Sequence, residues 1–354
     1  MHITDPRPLW RANRLLLTSS AALLVGIVIV SIADFRDRYR SAMDSSKQHV
    51  QTLADVLAEH TARTFEALDR ALRTADGIRI SIDESNPNSS RTARDTLRGV
   101  ANGSPALRSL GWTDAQGDMV MSTAKGGEIP TNIADLPHFQ ILQRSDRDGM
   151  LIGPLYVSKA GDWTSATALR FNDATGHFAG IVVASLDLSY FSRTFRRLQN
   201  RRSDSISLLT LNGKLLVRDP HQNDAVTMSF DNTPLFREHI YRDDGGTFES
   251  RGQTDDQMRI NGYRVVPGLP LIVLVTQART ETLEEWYAYL RTQLPLRIFL
   301  MLIIFIGTIK LAQQSSRFSS QNELLQATLH TMHEGLIVVD GKDRIALCNP
   351  KALQ

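Results

Sequence analysis

The sequence predicts an α+β membrane protein, on three observations: two apolar runs long enough to cross a bilayer, a long amphipathic helix between them, and two successive strand-turn-strand patterns. No charged residue falls between Leu15 and Ala33, and a second charge-free run, Ile298 to Ile309, is extended by Leu294, Pro295, Leu296 and Leu311. A spanning helix needs about 17–25 mostly apolar residues, because each rises ~1.5 Å and the hydrocarbon core is ~30 Å thick. The first run meets this outright. Arg297 interrupts the outer end of the second, where a long arginine side chain can reach the headgroups. Spans are therefore expected at 15–33 and 294–312, leaving 1–14 as a short cytoplasmic terminus.

The flanks set the orientation. Arg7, Arg11 and Arg14 precede the first span and Lys310 and Arg317 follow the second, so both basic flanks are cytoplasmic if 34–290 lies outside. Arg36, Arg38 and Arg40 oppose this, with Asp34 and Asp37 among them. A cleaved signal peptide ending at Ser31-Ile32-Ala33 is the competing reading, and it exports the same segment. The only cysteine, Cys348, lies beyond the second span, so the exported segment holds no disulfide and is stabilised by its core.

After the first span, Val50, Leu53, Leu57, Phe65, Leu68, Leu72 and Ala75 recur at three- and four-residue steps, which predicts a long amphipathic helix up to Gly77. Asp83 to Arg94, with Asn86-Pro87-Asn88, reads as a loop before a helix reaching Asn102. Leu107–Thr113, the turn Asp114 to Asp118 and Met119–Ser122 read as strand, turn and strand. A helix over 136–143, strands over 164–171 and 180–186, and a turn at 172–176 complete one unit, about 83–200. A second unit, about 201–280, repeats the plan: Ile206–Leu211, the Asn212-Gly213 turn and Lys214–Val217, then strands over 247–251, 258–265 and 271–276. The chain turns helical again over 280–289, ahead of the second span. Beyond that span, Phe318, Leu325, Leu329 and Met332 fall on one helix face and predict a coiled connector over 313–330, and with it a homodimer; a monomeric amphipathic helix gives the same pattern.

This order of parts resembles the double Cache sensor of bacterial transmembrane receptors, a tandem of PAS-like antiparallel sheet units behind a long N-terminal helix. The local matches are Asp135 to Phe139 followed by Gly149 to Pro154, and Phe178 to Asp187, which is similar to the strand that closes the ligand-binding module. Thr331 to Asp340 and Asp343 to Pro350 resemble the opening of a cytoplasmic PAS domain, with Asp340 to Asp343 as its hairpin turn and Asn349 capping a helix at Pro350. Only about 25 residues of that module are present, and a two-stranded hairpin is not independently stable, so 331–354 is expected to be an incomplete PAS segment of a truncated product or of a longer receptor.

No catalytic constellation is found: there is no phosphate-binding glycine loop, no Gly-x-Ser-x-Gly elbow and no HExxH, and His330-x-x-His333-Glu334 has the wrong order for a zinc site. No enzymatic activity, cofactor or metal is expected, and a net charge of +2 lacks the basic face that nucleic-acid binding requires. The candidate ligand-binding residues are Trp112, His138, Tyr156, Trp163, Arg170 and Asp187, on or beside strands of the first unit, where aromatic walls and a few polar groups converge. An Arg can grip a carboxylate bidentately and an Asp can accept from an ammonium. Trp112 and Trp163 read equally well as core, Arg170 as a solvated strand residue, and Asp187 as the cap of a helix starting near Leu188.

The Arg-x-Trp-Tyr pattern through which some members of the resembled family bind amino acids is not reproduced, since Leu136-Pro137-His138-Phe139 stands in its place. A small carboxylate facing Arg170 or His138 is as good an expectation as an amino-acid-like ligand. What the resemblance implies is a multi-pass receptor of the bacterial inner membrane with a periplasmic sensor, signalling to a PAS-linked output such as cyclic-di-GMP turnover or a histidine kinase. The alternative is a structural or dominant-negative dimerisation partner for full-length relatives.

Overall fold

The computed structural model describes residues 7–82, 87–124, 131–146, 148–158, 161, 163–199, 204–221, 228–253, 255–331, 337–339 and 345–348. The chain divides into two compact units, Ala42–Leu283 and the pair of segments Met1–Ser41 and Glu284–Gln354.

Ala42–Leu283 is built on helix α1 (Arg7–Ile80), whose C-terminal half carries the predicted apolar stripe: Val50, Ala54, Leu57, Phe65, Leu68, Leu72 and Ala75 are all buried. Helix α2 (Pro87–Asn102) corrects the expected loop over 83–94. Proline is favoured at the first helical position, where its missing N–H would have no partner anyway, so Asn86-Pro87 marks a helix start. Residues 83–86, the rest of that expected loop, lie outside the described ones.

Next come β1 (Leu107–Thr113), β2 (Met119–Ser122), α3 (Pro137–Arg144), β3 (Leu151–Ile152), β4 (Tyr156–Val157), β5 (Trp163–Thr164), β6 (Ala166–Asn172) and β7 (Phe178–Leu186). Strands β1, β2, β3, β6 and β7 form one antiparallel sheet in the order β2-β1-β7-β6-β3, and β4 and β5 pair as a separate ribbon. Helix α4 (Leu188–Leu198) leads to a second sheet of β8 (Ser205–Thr210), β9 (Leu215–Asp219), β10 (Gly245–Arg251), β11 (Met258–Val265) and β12 (Leu271–Ala278). Its order is β10-β11-β12-β8-β9, so both sheets have the arrangement 2-1-5-4-3 when their own strands are counted from the N-terminus.

The likeness of the halves extends to single residues. Gly117 (φ 87°) and Gly213 (φ 72°) turn the first hairpin of each sheet in a left-handed conformation that glycine adopts without steric cost. The Gly117 carbonyl accepts from Ile133 N at 2.9 Å and that of Gly213 from Phe230 N at 2.8 Å, which ties the following segment back to the turn in both halves. That segment continues as α3 in the first half and as a π-helical turn, Leu235–His239, in the second; the sequence pattern did not indicate this turn.

Each sheet has two covered faces. On one face of the first sheet, Leu110, Trp112, Val182 and Ala184 pack against Leu72 and Ala75 of α1 and Leu97 of α2. On its other face, Ala166, Ala168, Ile181 and Val183 pack under Phe139 and Leu142 of α3. In the second sheet, Phe248, Tyr263, Ile272 and Leu274 pack with Phe230, Leu235 and Phe236.

The other unit holds the N-terminal part of α1 and helix α6 (Glu284–Thr331), which follows a four-residue helix α5 (Arg279–Thr282). Both long helices are apolar enough over an 18-residue window to cross a membrane. Arg297 is paired with Asp34, with Nη2 2.5 Å from Oδ2, and Tyr289 Oη donates to the same carboxylate at 2.9 Å. Trp286 Nε1 donates to the Phe35 carbonyl at 3.0 Å, and Arg38 lies over the Tyr289 ring. The arginine that breaks the second apolar run is thus neutralised by the first acid after the other run. The Trp and Tyr residues beside it are of the kind enriched where a span meets water.

Beyond α6, β13 (Ile337–Val339) and β14 (Ile345–Cys348) form a hairpin. The side chains of Phe318, Leu325, Leu329 and Met332 expected in a coiled connector lie outside the described residues. So do His333-Glu334, the Asp340 to Asp343 turn and Asn349-Pro350.

Candidate functional site

The face of the first sheet under α3 gathers the polar groups. Helix α3 starts at Pro137 and turns His138, Phe139 and Leu142 toward the sheet. His138 is 1% exposed and its Nδ1 has no hydrogen-bond partner among the described residues. Burial depresses its pKa to about 4, so the ring is neutral at physiological pH. Gly153 makes room for it, since a Cβ there would lie 3.1 Å from the His138 Cβ.

The Tyr156 ring packs 5.4 Å from the imidazole. Burial pushes the Tyr156 phenol upward, which its hydrogen bond with Ser185 and the nearby Arg108 only partly offset. Ser185 pairs across the ladder with Ser109, and Tyr156 with Thr164. A neutral imidazole, a phenol and several hydroxyls over an apolar floor can hydrogen-bond and orient a small polar molecule. Among the described residues, no group of three His, Cys, Asp or Glu side chains is placed to hold a metal ion.

The other candidates have different surroundings. Trp112, 3% exposed, lies on the opposite face of the sheet, in the apolar core with Leu97 and Leu110. Trp163 sits on the β4–β5 ribbon and is 40% exposed. Arg170 faces α3 but closes its C-terminus: Nη1 donates to the carbonyls of Leu142, Gln143 and Ser145 at 2.8, 3.2 and 3.2 Å, and Nη2 pairs with Asp146 at 2.8 Å. These carbonyls have no helical donors of their own and carry the negative end of the helix dipole, so a guanidinium is their natural complement.

Asp187 caps α4. Its Oδ1 accepts from Ser189 N at 3.1 Å and Ser189 Oγ at 2.6 Å, and Oδ2 pairs with Arg193 at 3.1 Å. The fold therefore brings His138 and Tyr156 together, gives Arg170 and Asp187 intramolecular partners, and puts Trp112 elsewhere. Ser109 and Ser185 join the site through strand register alone, and no local sequence signal marks them.

Residues 188–276, α4 through most of β12, match the family described as dCache_1-like, histidine kinase sensor domain. No curated protein sequence matches the chain. Among solved structures, the extracellular domain of rpHK1S-Z16, described as a histidine kinase, is 26% identical with a TM-score of 0.59, over 68% of this chain and 98% of that one. The periplasmic sensory domain of the Campylobacter jejuni chemoreceptor Tlp1 is 13% identical with a TM-score of 0.56, over 68% and 98%. The ligand-binding domain of the Pseudomonas fluorescens chemoreceptor CtaA, solved with L-isoleucine, is 14% identical with a TM-score of 0.50, over 70% and 98%. Residues 188–276 thus match a dCache_1-like sensor-domain model, and the two sheets of like strand order with the long helix along them have a Cache-like sensor fold, in a chain that has, among the described residues, two helices apolar enough to cross a membrane.

Proposed function

We propose that this chain is a receptor of the bacterial inner membrane that binds a small carboxylate or amino-acid-like ligand in the periplasm. The ligand sits under α3, with the open Nδ1 of His138 and the Tyr156 hydroxyl as its main partners. The observation that carries this is the buried, neutral His138, whose Nδ1 has no hydrogen-bond partner among the described residues. An unsatisfied buried polar group costs about 1–3 kcal/mol, so a ligand that completes it recovers that energy. Binding would bias the arrangement of the long helices and pass through the second span to a PAS-linked output, with two chains paired along the connector. The cyclic-di-GMP output rests on family resemblance alone.

The test uses the full chain in lipid nanodiscs, in a thermal-shift screen against amino acids, carboxylates and amines. A ligand at 100 times its Kd adds about 2.7 kcal/mol to stability. A saturable shift that is lost in His138→Leu and reduced in Tyr156→Phe supports the reading. A shift retained in both variants, or none across the panel in folded protein, defeats it.

A further inference from the structure

We infer that the second sheet carries an anion site of its own, in which Arg218 of β9 receives the carboxylate of a short-chain organic acid. A cleft of about 190 Å³ opens on the face of this sheet that also bears its apolar core. Arg218 and Arg259 lie at its polar end, Asn261 and Thr276 line its floor, and Phe230 and Phe248 form apolar wall.

Arg218 is only 9% exposed, and its Nε is buried without a hydrogen-bond partner among the described residues. Its direct cross-strand neighbour, Ser207, is fully buried with an equally unpartnered Oγ. Among the described residues, the nearby carboxylates have closer partners than Arg218. Asp255 is bound by Arg259, whose Nη2 lies 2.5 Å from Oδ2, and Arg259 also donates to Thr276 Oγ1 at 3.3 Å. Asp219, next in the chain, pairs with Arg196 at 2.9 Å. Among the described residues, Asp255 acts on Arg218 only at a distance, and no carboxylate is paired with its guanidinium. Burial and the neighbouring Arg259 disfavour the charge on Arg218 and lower its pKa, and Asp255 offsets this only in part.

A buried guanidinium with no paired anion is unfavourable, and a protein tolerates it where an anion completes the site. A planar fork of donors suits a carboxylate held bidentately. Phe230, Leu235, Phe248 and Leu274 along the cleft suit a short apolar tail on that acid. The site is on a different sheet from His138 and stands or falls separately from the reading given there.

The experiment is calorimetric titration of the full chain in nanodiscs with acetate, propionate, butyrate and, in a separate arm, inorganic phosphate. It is run on the native protein, on Tyr156→Phe and, so that the first-sheet site adds no carboxylate binding of its own, on His138→Leu alone and combined with Arg218→Met or Arg218→Lys. The expected result is saturable carboxylate binding that tightens from acetate to butyrate, persists in Tyr156→Phe and in His138→Leu alone, weakens at least tenfold when Arg218→Met is added to His138→Leu, and weakens less with Arg218→Lys. Without ligand, the combination with Arg218→Met should melt no lower than His138→Leu alone, because it removes an unpaired buried charge; a merely structural arginine would give a large fall. Carboxylate binding with unchanged Kd when Arg218→Met is added, no carboxylate binding by the folded native protein or by folded His138→Leu, or binding of phosphate alone would each overturn the assignment.

Discussion

At Gly262 the long helix comes into backbone contact with the second sheet, and Gly262→Ala tests how tightly the two are joined. The residue sits in β11, paired with Val275 and Thr247, and a Cβ on it would lie 2.5 Å from the carbonyl carbon of Val50, 2.6 Å from its oxygen and 2.8 Å from the nitrogen of Gln51. These are backbone atoms of α1, so no rotamer change relieves the clash and the helix must move by about 1 Å to restore ordinary van der Waals contact. That movement would disturb the buried Ser46 Oγ hydrogen bond to Gln277 and the packing of Val50, which is 1% exposed. Overpacking of this kind costs about 1–3 kcal/mol, and a clash with backbone belongs at the upper end. At roughly 2–4 °C per kcal/mol for a domain of this size, a cost of about 3 kcal/mol lowers Tm by about 6–12 °C. Gly99→Ala is the control: it lies inside α2 with nothing within 4 Å of the added Cβ. Replacing an open helical glycine by alanine gains about 1 kcal/mol. Both variants are followed by thermal unfolding of the full chain in nanodiscs. A Gly262→Ala protein melting within about 2 °C of the native one would refute the claim that α1 and the second sheet are in backbone contact.

Three further predictions concern charge. His138 is neutral when folded, with a pKa of about 4 against 6.5 for the free side chain, so the unfolded state binds more protons between those values. Stability therefore falls as pH drops below about 6.5, by on the order of 2 kcal/mol at pH 5; denaturant melts of His138→Leu should lose this component, and an unchanged pH slope in that variant would sink the argument. For Asp187, burial acts to raise the carboxyl, but the hydrogen bonds from Ser189 and Arg193 prevail and lower it below 3.8. Its contribution is present above that value and lost as pH falls through the lower folded pKa. Asp187→Ala should cost about 1 kcal/mol through loss of the α4 cap, whereas Asp187→Asn should retain most of it, as equilibrium unfolding will show. Asp34 and Arg297 should show a favourable coupling in a double-mutant cycle of Asp34→Asn and Arg297→Gln, because each removal leaves the other charge without its closest partner; additive effects would mean that the pair contributes nothing.

Much of the architecture could be read from local pattern, since what specifies it is periodicity. The apolar stripe from Val50 to Ala75 demands a helix with one buried face. The alternating runs around Asp114 to Asp118 and Asn212-Gly213 demand hairpins, and the charge-free runs demand an apolar environment along their length. The loop expected over 83–94 failed because Asn86-Pro87-Asn88 has the composition of a turn, and only the packing of Ala93 and Leu97 on the sheet shows it to be a helix start.

The candidate site divides along the same line. Residue type singled out His138, Tyr156, Arg170 and Asp187 as capable of binding, but type alone cannot choose a partner. Arg170 and Asp187 satisfy helix ends because α3 and α4 put bare carbonyls and N–H groups within reach, whereas His138 Nδ1, pressed by α3 onto the sheet, meets no hydrogen-bond partner among the described residues. Arg218 and Ser207 attracted no notice in the sequence, because they lie on different strands and only register sets them opposite each other. By itself, the sequence determined the alternation of helix, paired strands and membrane-length helices, because those follow from near-neighbour periodicity. Only the tertiary structure decided which polar side chains are already satisfied and which remain open to a ligand, because that depends on strand register and on helix ends meeting across long separations in the chain.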